Sequence, residues 1–390
     1  ERYFALQYWC GAIALAHQLA EWVYLGKPWH RLTIGLLLGI FTVGLLGGLR
    51  LSPDRAARLL LLLAMLAGAE GVLGLLQVGP SGGGMLYFGN EEPGQYVAIG
   101  TFVNRNHLAA LLAMALPVIV GLLVYGMRPG RRTHKRPASA PPSEAAAKRT
   151  LLFGSAVIIL VCLLFTRSRA GIATGLIGLA CSAVVLVRAR AARAHTSRLR
   201  VASYVVVGLV LISIGVALAI GIGPLLQGLE PGQLQGSADF RWGIYAATLR
   251  GAIEFLPFGS GLSTYAGVFP RFQVADVGGY IDYAHNDYLQ AFMELGLAAP
   301  VIVVLLFAAW LSRFIELLRD HAGRSFTLLQ LGAGLGMVPM MLHSVFDFAL
   351  HMPVNAMWFA TLAGVMLHPG VEGEPTEGVR HEERPWPQPP

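Results

Sequence analysis

The chain has 390 residues, of which 55% are hydrophobic and only 13% are charged. Soluble domains carry about 25% charged residues, so this composition excludes an ordinary soluble protein when the apolar residues cluster, and here they do. The net charge of +7 would suit a nucleic-acid-binding protein, but the distribution of the basic residues is that of a membrane protein, and no nucleic-acid partner is expected.

Apolar runs that could cross a bilayer recur along the chain. A spanning helix needs roughly 20 apolar residues, so the pattern predicts an all-α polytopic membrane protein of about 10–12 transmembrane helices. Residues 1–368 are expected to form one integral membrane domain, and residues 369–390, rich in Pro and Glu, a disordered cytoplasmic tail. The candidate spans are 3–24, 32–49, 56–78, 107–127, 151–165, 171–187, 201–223, 287–311, 327–343 and 354–368.

The basic residues between these runs predict the orientation of the chain. Of the 29 Lys and Arg residues, 21 fall on one set of helix ends and 8 on the other. Because cytoplasmic loops carry the excess of Lys and Arg, the richer set is assigned to the cytoplasm. The basic connection 128–150 is then a flexible cytoplasmic loop. The outer side holds four polar segments, namely 79–106, 166–169, 224–286 and 343–347.

The longest outer segment, 224–286, contains a stretch with helical periodicity. Between Phe240 and Phe255 apolar residues recur at helical spacing, which predicts an amphipathic helix near the outer membrane surface, opened by Arg241. The apolar positions that define this pattern are Ile244, Ala247, Leu249 and Ile253.

Three outward arginines are candidates for binding phosphate. Arg167 and Arg169 lie in a turn of about five residues between two spans, and Arg241 lies in the long loop. The planar guanidinium matches phosphate oxygens, often through two parallel hydrogen bonds, so converging arginines would form a diphosphate site. The alternative is that these side chains extend to lipid phosphates.

His285 is the candidate for acid–base chemistry. It precedes Asn286, Asp287 and an apolar helical pattern, so it lies at a helix N-terminus, where the helix dipole disfavours the imidazolium. A neutral imidazole can act as a general base near pH 7. Asp287 could cap the helix or orient the ring. The alternative is that His285 has no chemical role.

Two further sets of polar residues have weaker support. Asn104 or Asn106 could cap the helix that follows, and binding of a sugar is an equal alternative. Glu70 and Glu294 fall within predicted spans, where ionisable groups usually face the protein interior. No Cys/His cluster has the spacing of a metal site.

These segments, taken together and in order, resemble the O-antigen ligase superfamily. This family of bacterial membrane glycosyltransferases also includes O-antigen polymerases and some protein O-oligosaccharyltransferases. The matching segments are Phe102–Ala109, Thr166–Gly171, Arg241 ahead of Pro257–Gly261, Ala284–Gln290 with Gly296, and His343–Asp347.

The resemblance implies a function and a set of site residues. The donor is a glycan on undecaprenyl diphosphate, presented at the periplasmic face of the bacterial inner membrane, and the acceptor is a sugar hydroxyl of lipid A-core. Metal and nucleotide cofactors are not required, and the anomeric centre is inverted. Arg169 and Arg241 are expected to hold the diphosphate, and His285 to activate the acceptor. Substrate binding is expected of Arg167, Asn104, Arg105, Asn106, Asp287, His343 and Asp347.

Other functions remain open on sequence grounds. An O-antigen polymerase would use the same chemistry with a second lipid-linked repeat as acceptor. A transporter of lipid-linked glycan belongs to a different class, in which ionisable residues tend to lie near the membrane midplane. Here the polar groups gather on the outer side, which favours transfer over transport.

Overall fold

The computed structural model describes residues 30–78, 86, 97–125, 144–191, 207–208, 231–273, 279–320 and 325–369. Within these ranges the secondary structure is helical. Short 3₁₀ helices occupy Phe269–Arg271 and Ala349–His351. The α-helices are α1 His30–Arg50, α2 Pro53–Val78, α3 Arg105–Tyr125, α4 Glu144–Phe165, α5 Arg169–Ala191, α6 Pro231–Glu254, α7 Tyr265–Val268, α8 Asp287–Leu295, α9 Ala298–Asp320, α10 Ser325–His343 and α11 Pro353–Leu367.

The prediction of an all-α polytopic membrane protein is confirmed. Five helices of the described chain are long and apolar enough to cross a membrane, in α2, α3, α4, α9 and α10. Parts of α1 and α5, and all of α11, are shorter apolar helices. The candidate span 3–24, most of 201–223 and the tail from residue 370 lie outside the described residues.

Helix α3 lies at the centre of the helical bundle. It packs against α2, α4, α5, α10 and α11, and every residue from His107 to Val124 is buried. Its closest neighbour is α10, where a Cβ added to Gly121 would lie 3.0 Å from the Cα of Gly332. Two glycines that face each other let the helix backbones come this close, so larger side chains do not fit at either position.

The prediction that residues 287–311 form a single spanning helix is wrong. The structure has α8 and α9 instead, separated by Gly296 with φ of +58°. The segment Pro257–Gly261 folds over this break: Ser260 N–H and Gly261 N–H donate to the carbonyls of Met293 and Glu294, each at 2.9 Å. These bonds satisfy carbonyls at the end of α8, which would otherwise lack partners. The apolar sequence continues across the break, so hydropathy alone could not reveal it.

Two other helix boundaries also differ from the prediction. Helix α6 begins at Pro231, so Arg241 lies inside the helix instead of opening it. Its buried face holds Ile244 and Ala247 but not the predicted Leu249 and Ile253, which are exposed. Helix α4 begins at Glu144, so the end of the predicted cytoplasmic loop 128–150 is helical.

The polar segments predicted on the outer side meet at one end of the bundle. The start of α3, the turn between α4 and α5, the segment before α8 and the connection from α10 to α11 all contribute to one site there. Two of these four segments, the turn between α4 and α5 and the connection from α10 to α11, are short connections between helices of the bundle, so the bundle fixes the position of the polar residues that they carry.

We predict that Gly121→Val destabilises the protein by about 1–3 kcal/mol, because the new side chain must push apart the backbones of α3 and α10. The thermal unfolding midpoint of the detergent-solubilised protein measures this. Gly154→Val in α4 is the matched control, since a Cβ at Gly154 meets nothing within 4 Å. Equal midpoints for the two variants would contradict the account of this crossing.

Candidate active site

Four arginines line a single open pocket. They are Arg105, Arg167, Arg169 and Arg241, from three separate parts of the chain. Asp347 is the one acidic residue among the described residues of the lining, which also includes Asn106, Ser168, Ala170 and Phe346. The pocket is therefore strongly positive and suits an anion with several oxygens.

The turn between α4 and α5 presents two of these arginines. Arg167 adopts the left-handed conformation, with φ of +52°, which costs a non-glycine residue about 1–2 kcal/mol. The turn is held by side chains on both sides of Arg167. Thr166 Oγ1 donates to the carbonyl of Leu163 at 2.7 Å, and Ser168 Oγ accepts from the N–H of Gly171 at 3.2 Å. A strained residue held this firmly is typical of a functional site.

Arg105 and Asn106 enter the pocket from the first turn of α3. Asn104 caps this helix, because its Oδ1 accepts from the N–H of Asn106 at 2.8 Å. Of the two asparagines considered from sequence, Asn104 is thus the cap, and Asn106 lines the pocket.

Two polar side chains of α2 hold the segment that leads into α3. The Glu70 carboxylate accepts from the N–H and the hydroxyl of Thr101, at 2.9 and 2.7 Å. Gln77 Oε1 accepts from the N–H groups of Ile99 and Gly100, at 3.0 and 2.8 Å. Glu70 lies within a span, as the sequence indicated, and the structure places it as a support for the loop before Arg105.

Arg241 reaches the pocket from α6, which packs against α8. One turn further along α6, Tyr245 donates its hydroxyl hydrogen to the backbone carbonyl of His285 at 2.7 Å. Residues four apart share a helix face, so α6 presents Arg241 and Tyr245 on the same side. Sequence reasoning missed Tyr245, although its spacing from Arg241 was a usable signal.

His285 forms a hydrogen-bonded pair with Asp347, and the distance from Nδ1 to Oδ1 is 3.1 Å. Asp347 is 1% exposed. Burial raises the pKa of this carboxyl, but the hydrogen bond from His285 and the neighbouring imidazoles outweigh it and bring the pKa well below its usual range. An ionised carboxylate only accepts hydrogen bonds, so Nδ1 of His285 carries the proton. Nε2 is then the ring nitrogen that can receive one.

A second histidine–aspartate pair, Asp287–His351, joins the same two segments of the chain. Asp287 Oδ1 lies 2.7 Å from Nδ1 of His351, and the N–H of Asp287 donates to the carbonyl of Ser344 at 2.8 Å. The segment 284–290 is thus joined to 343–351 by two histidine–aspartate pairs of opposite order. Each segment contributes one His and one Asp.

The second pair decides the role of Asp287. The expectation that it caps α8 or orients the His285 ring is wrong, because Asn286 is the cap, accepting from the N–H of Leu289 at 3.0 Å, and Asp347 holds the ring. The partner of Asp287, His351, lies 64 residues further along the chain, and proximity in sequence could not reveal it.

Most of the site residues predicted from the sequence lie in or beside the arginine pocket. Six of them line the pocket, and His285 adjoins it through Asp347. Asn104 and Asp287 serve as described above. His343 is fully buried at the end of α10, and neither ring nitrogen has a hydrogen-bond partner among the described residues. The six lining residues are Arg105, Asn106, Arg167, Arg169, Arg241 and Asp347.

Comparison with known proteins agrees with the motifs. Residues 154–304 match the family model described as O-antigen ligase. The matched region is less than half of the chain and contains Arg167, Arg169, Arg241 and His285, but not Arg105 or Asp347. No curated protein matches the chain. The match to the family model and the motifs together support the resemblance of the chain to the O-antigen ligase superfamily.

Proposed function

We propose that the protein is an O-antigen ligase of the bacterial inner membrane. It transfers a polysaccharide from undecaprenyl diphosphate to a sugar hydroxyl of lipid A-core, at the periplasmic face. The observation that carries the proposal is the convergence of four arginines on a pocket that adjoins the His285–Asp347 pair. The resemblance to the superfamily supplies the substrate class.

The arginine pocket binds the donor diphosphate. Positive groups brought together in one place repel one another, and a diphosphate offsets that repulsion while offering oxygens to several guanidinium groups at once. Arg167 is consistent with this role, since its Nε is buried without a hydrogen-bond partner among the described residues. As the glycosidic C–O bond to the diphosphate breaks, negative charge grows on the leaving oxygen, where fixed cations stabilise it most.

His285 activates the acceptor. Its Nε2 takes the proton of the acceptor hydroxyl as the hydroxyl oxygen forms its bond to the anomeric carbon. Asp347 holds Nδ1–H and stabilises the imidazolium that forms, an arrangement familiar from His–Asp pairs in hydrolases. The bond electrons leave with undecaprenyl diphosphate, and attack from the face opposite the leaving group inverts the anomeric centre.

A polymerase or a protein O-oligosaccharyltransferase would use the same donor site. These functions differ from the ligase only in the acceptor, so transfer to each acceptor distinguishes them. A transporter of lipid-linked glycan is disfavoured, because it has no need of an imidazole–carboxylate pair beside a phosphate site.

Reconstitution tests the proposal. The purified protein in proteoliposomes receives a glycan on undecaprenyl diphosphate together with either lipid A-core, a second lipid-linked repeat or an acceptor peptide, without added metal or nucleotide. The ligase proposal predicts glycan on lipid A-core and release of undecaprenyl diphosphate. Transfer only to the second repeat or to the peptide would assign one of the sister functions. No transfer to any acceptor would contradict all three.

We predict that Arg241→Lys lowers donor affinity about tenfold or more although the charge is kept, because a lysine cannot form the two parallel bonds of a guanidinium with phosphate oxygens. The measurement is KM for the lipid-linked donor. Arg250→Lys is the matched control, since Arg250 is exposed on the same helix and outside the pocket. If both variants behave as the wild type, Arg241 is only a surface charge.

We predict that His285→Gln lowers kcat by about 10²–10⁴-fold, the usual contribution of a general base, while binding of the donor diphosphate is retained. Glutamine can still hydrogen-bond to the acceptor hydroxyl but cannot take its proton. Single-turnover rates at saturating donor separate the two effects. Near-normal turnover would show that His285 only positions the acceptor.

We predict that the site end of the bundle faces the periplasm. Cysteines introduced at Leu262, which is exposed in the predicted outer segment 224–286, and at Lys148, exposed near the start of α4, can be labelled with an impermeant thiol reagent in intact spheroplasts. Labelling at position 262 but not at 148 is expected. The reverse pattern would overturn the orientation.

A further inference from the structure

The side chain of Gln290 joins the second histidine–aspartate pair to the backbone beside His285. It is 3% exposed and has three partners. Oε1 accepts from the N–H of Ala284 at 3.1 Å. Nε2 lies 3.3 Å from Nε2 of His351 and 3.4 Å from Oε1 of Glu294.

The orientation of this amide is fixed by partners that cannot exchange roles. The N–H of Ala284 can only donate, so the amide oxygen must face it. The amide NH₂ group therefore faces His351, and Nε2 of His351 must be an unprotonated acceptor. Nδ1 of His351 then carries the hydrogen that is donated to Asp287. The hydrogen bonds thus define one tautomer of a neutral imidazole.

We infer that Gln290 is a positioning residue that couples the protonation of His351 to the placement of His285. When His351 gains a proton on Nε2, two donors face each other and the Gln290 amide must turn or withdraw. The N–H of Ala284, at a fully buried residue, then loses its acceptor. The inference rests on the proposed function for its catalytic consequence.

The strained backbone at His285 explains why loss of the Ala284 hydrogen bond would affect the position of the ring. His285 directly follows Ala284 and has φ of +49°, a conformation that a non-glycine residue keeps only where its surroundings hold it. Two hydrogen bonds hold the backbone at this point, from Ala284 N–H to Gln290 and from the Tyr245 hydroxyl to the His285 carbonyl. Loss of the first leaves the ring less firmly aimed at the acceptor.

The groups around His351 favour its protonation at an accessible pH. Asp287 and Glu294 face it from α8, the Tyr283 ring lies 5.3 Å away between centroids, and the His285–Asp347 pair lies on the adjoining turn. Burial lowers the pKa of His351, but the hydrogen bond to Asp287 and the charges of Asp287 and Glu294 raise it above the ordinary value.

Protonation of His351 lowers activity but strengthens the ion pair with Asp287. The neutral ring holds Gln290 in place, so activity falls as pH drops through the raised pKa of His351. The protonated ring strengthens its pair with Asp287, a contribution to stability that is complete below the ordinary imidazole pKa and is lost as pH rises through the raised one. The protein should therefore lose activity on acidification while it stays folded.

Gln290→Glu tests the coupling, because a carboxylate accepts from the N–H of Ala284 and from protonated Nε2 of His351 at once. In wild-type protein, hydrogen exchange at the Ala284 amide should speed up about tenfold beyond its intrinsic pH dependence as His351 gains its proton. In Gln290→Glu this step should be absent, and the acid limb of kcat should move down by about one pH unit.

Gln273→Glu is the control for the added charge, since the Gln273 side chain makes an exposed hydrogen bond to the carbonyl of Gly279. Its exchange step and acid limb should match the wild type. His351→Asn keeps a donor for Asp287 but cannot titrate in this range, so it should also abolish the exchange step. His351→Asn therefore tests the coupling even if Gln290→Glu does not fold.

The two readouts separate this inference from the proposed function. Hydrogen exchange needs no substrate, so an exchange step that persists in Gln290→Glu, or in His351→Asn, would overturn the coupling whether or not the protein transfers glycan. Absence of transfer in wild-type protein, with the exchange step present and removed by these variants, would contradict the proposed function alone.

Discussion

Four guanidinium groups held in one pocket repel one another, and much of the surrounding structure serves to hold them there. Each approaches from a support that the bundle fixes. Glu70 and Gln77 hold the segment before Arg105, Ser168 and Thr166 fix the turn of Arg167 and Arg169, and α6 carries Arg241 on a helix packed against α8. A site assembled in this way is ordered before its ligand arrives, which lowers the cost of binding.

His285, the proposed base, is held separately by the two histidine–aspartate pairs. The pair with Asp347 sets the tautomer of His285, and the pair Asp287–His351 joins the same two segments a few residues away. Asp347 belongs to both parts of the site, since it lines the arginine pocket and holds the ring. Tyr245 adds a further link, because it shares a helix with Arg241 and bonds to the His285 carbonyl.

The sequence was sufficient to predict the class of fold and most of the pocket, because hydropathy and arginines in the predicted outer segments are local signals. Arg167, Arg169 and Arg241 were found in this way. The partners of His285 and Asp287 were not, since each pairing joins residues more than 60 positions apart. The break at Gly296 was missed because apolar residues continue across it, and what ends α8 is a hydrogen-bonding segment some 35 residues earlier in the chain.

The central claim is that the arginine pocket recognises a diphosphate, and lipid binding tests it without any acceptor. Native mass spectrometry of the purified protein can compare retention of undecaprenyl diphosphate with that of undecaprenyl monophosphate, for the wild type and for Arg169→Ala. The account predicts that the wild type retains the diphosphate preferentially and that Arg169→Ala, still folded, loses this preference. Equal retention of the two lipids by the wild type, or an unchanged preference in Arg169→Ala, would contradict it.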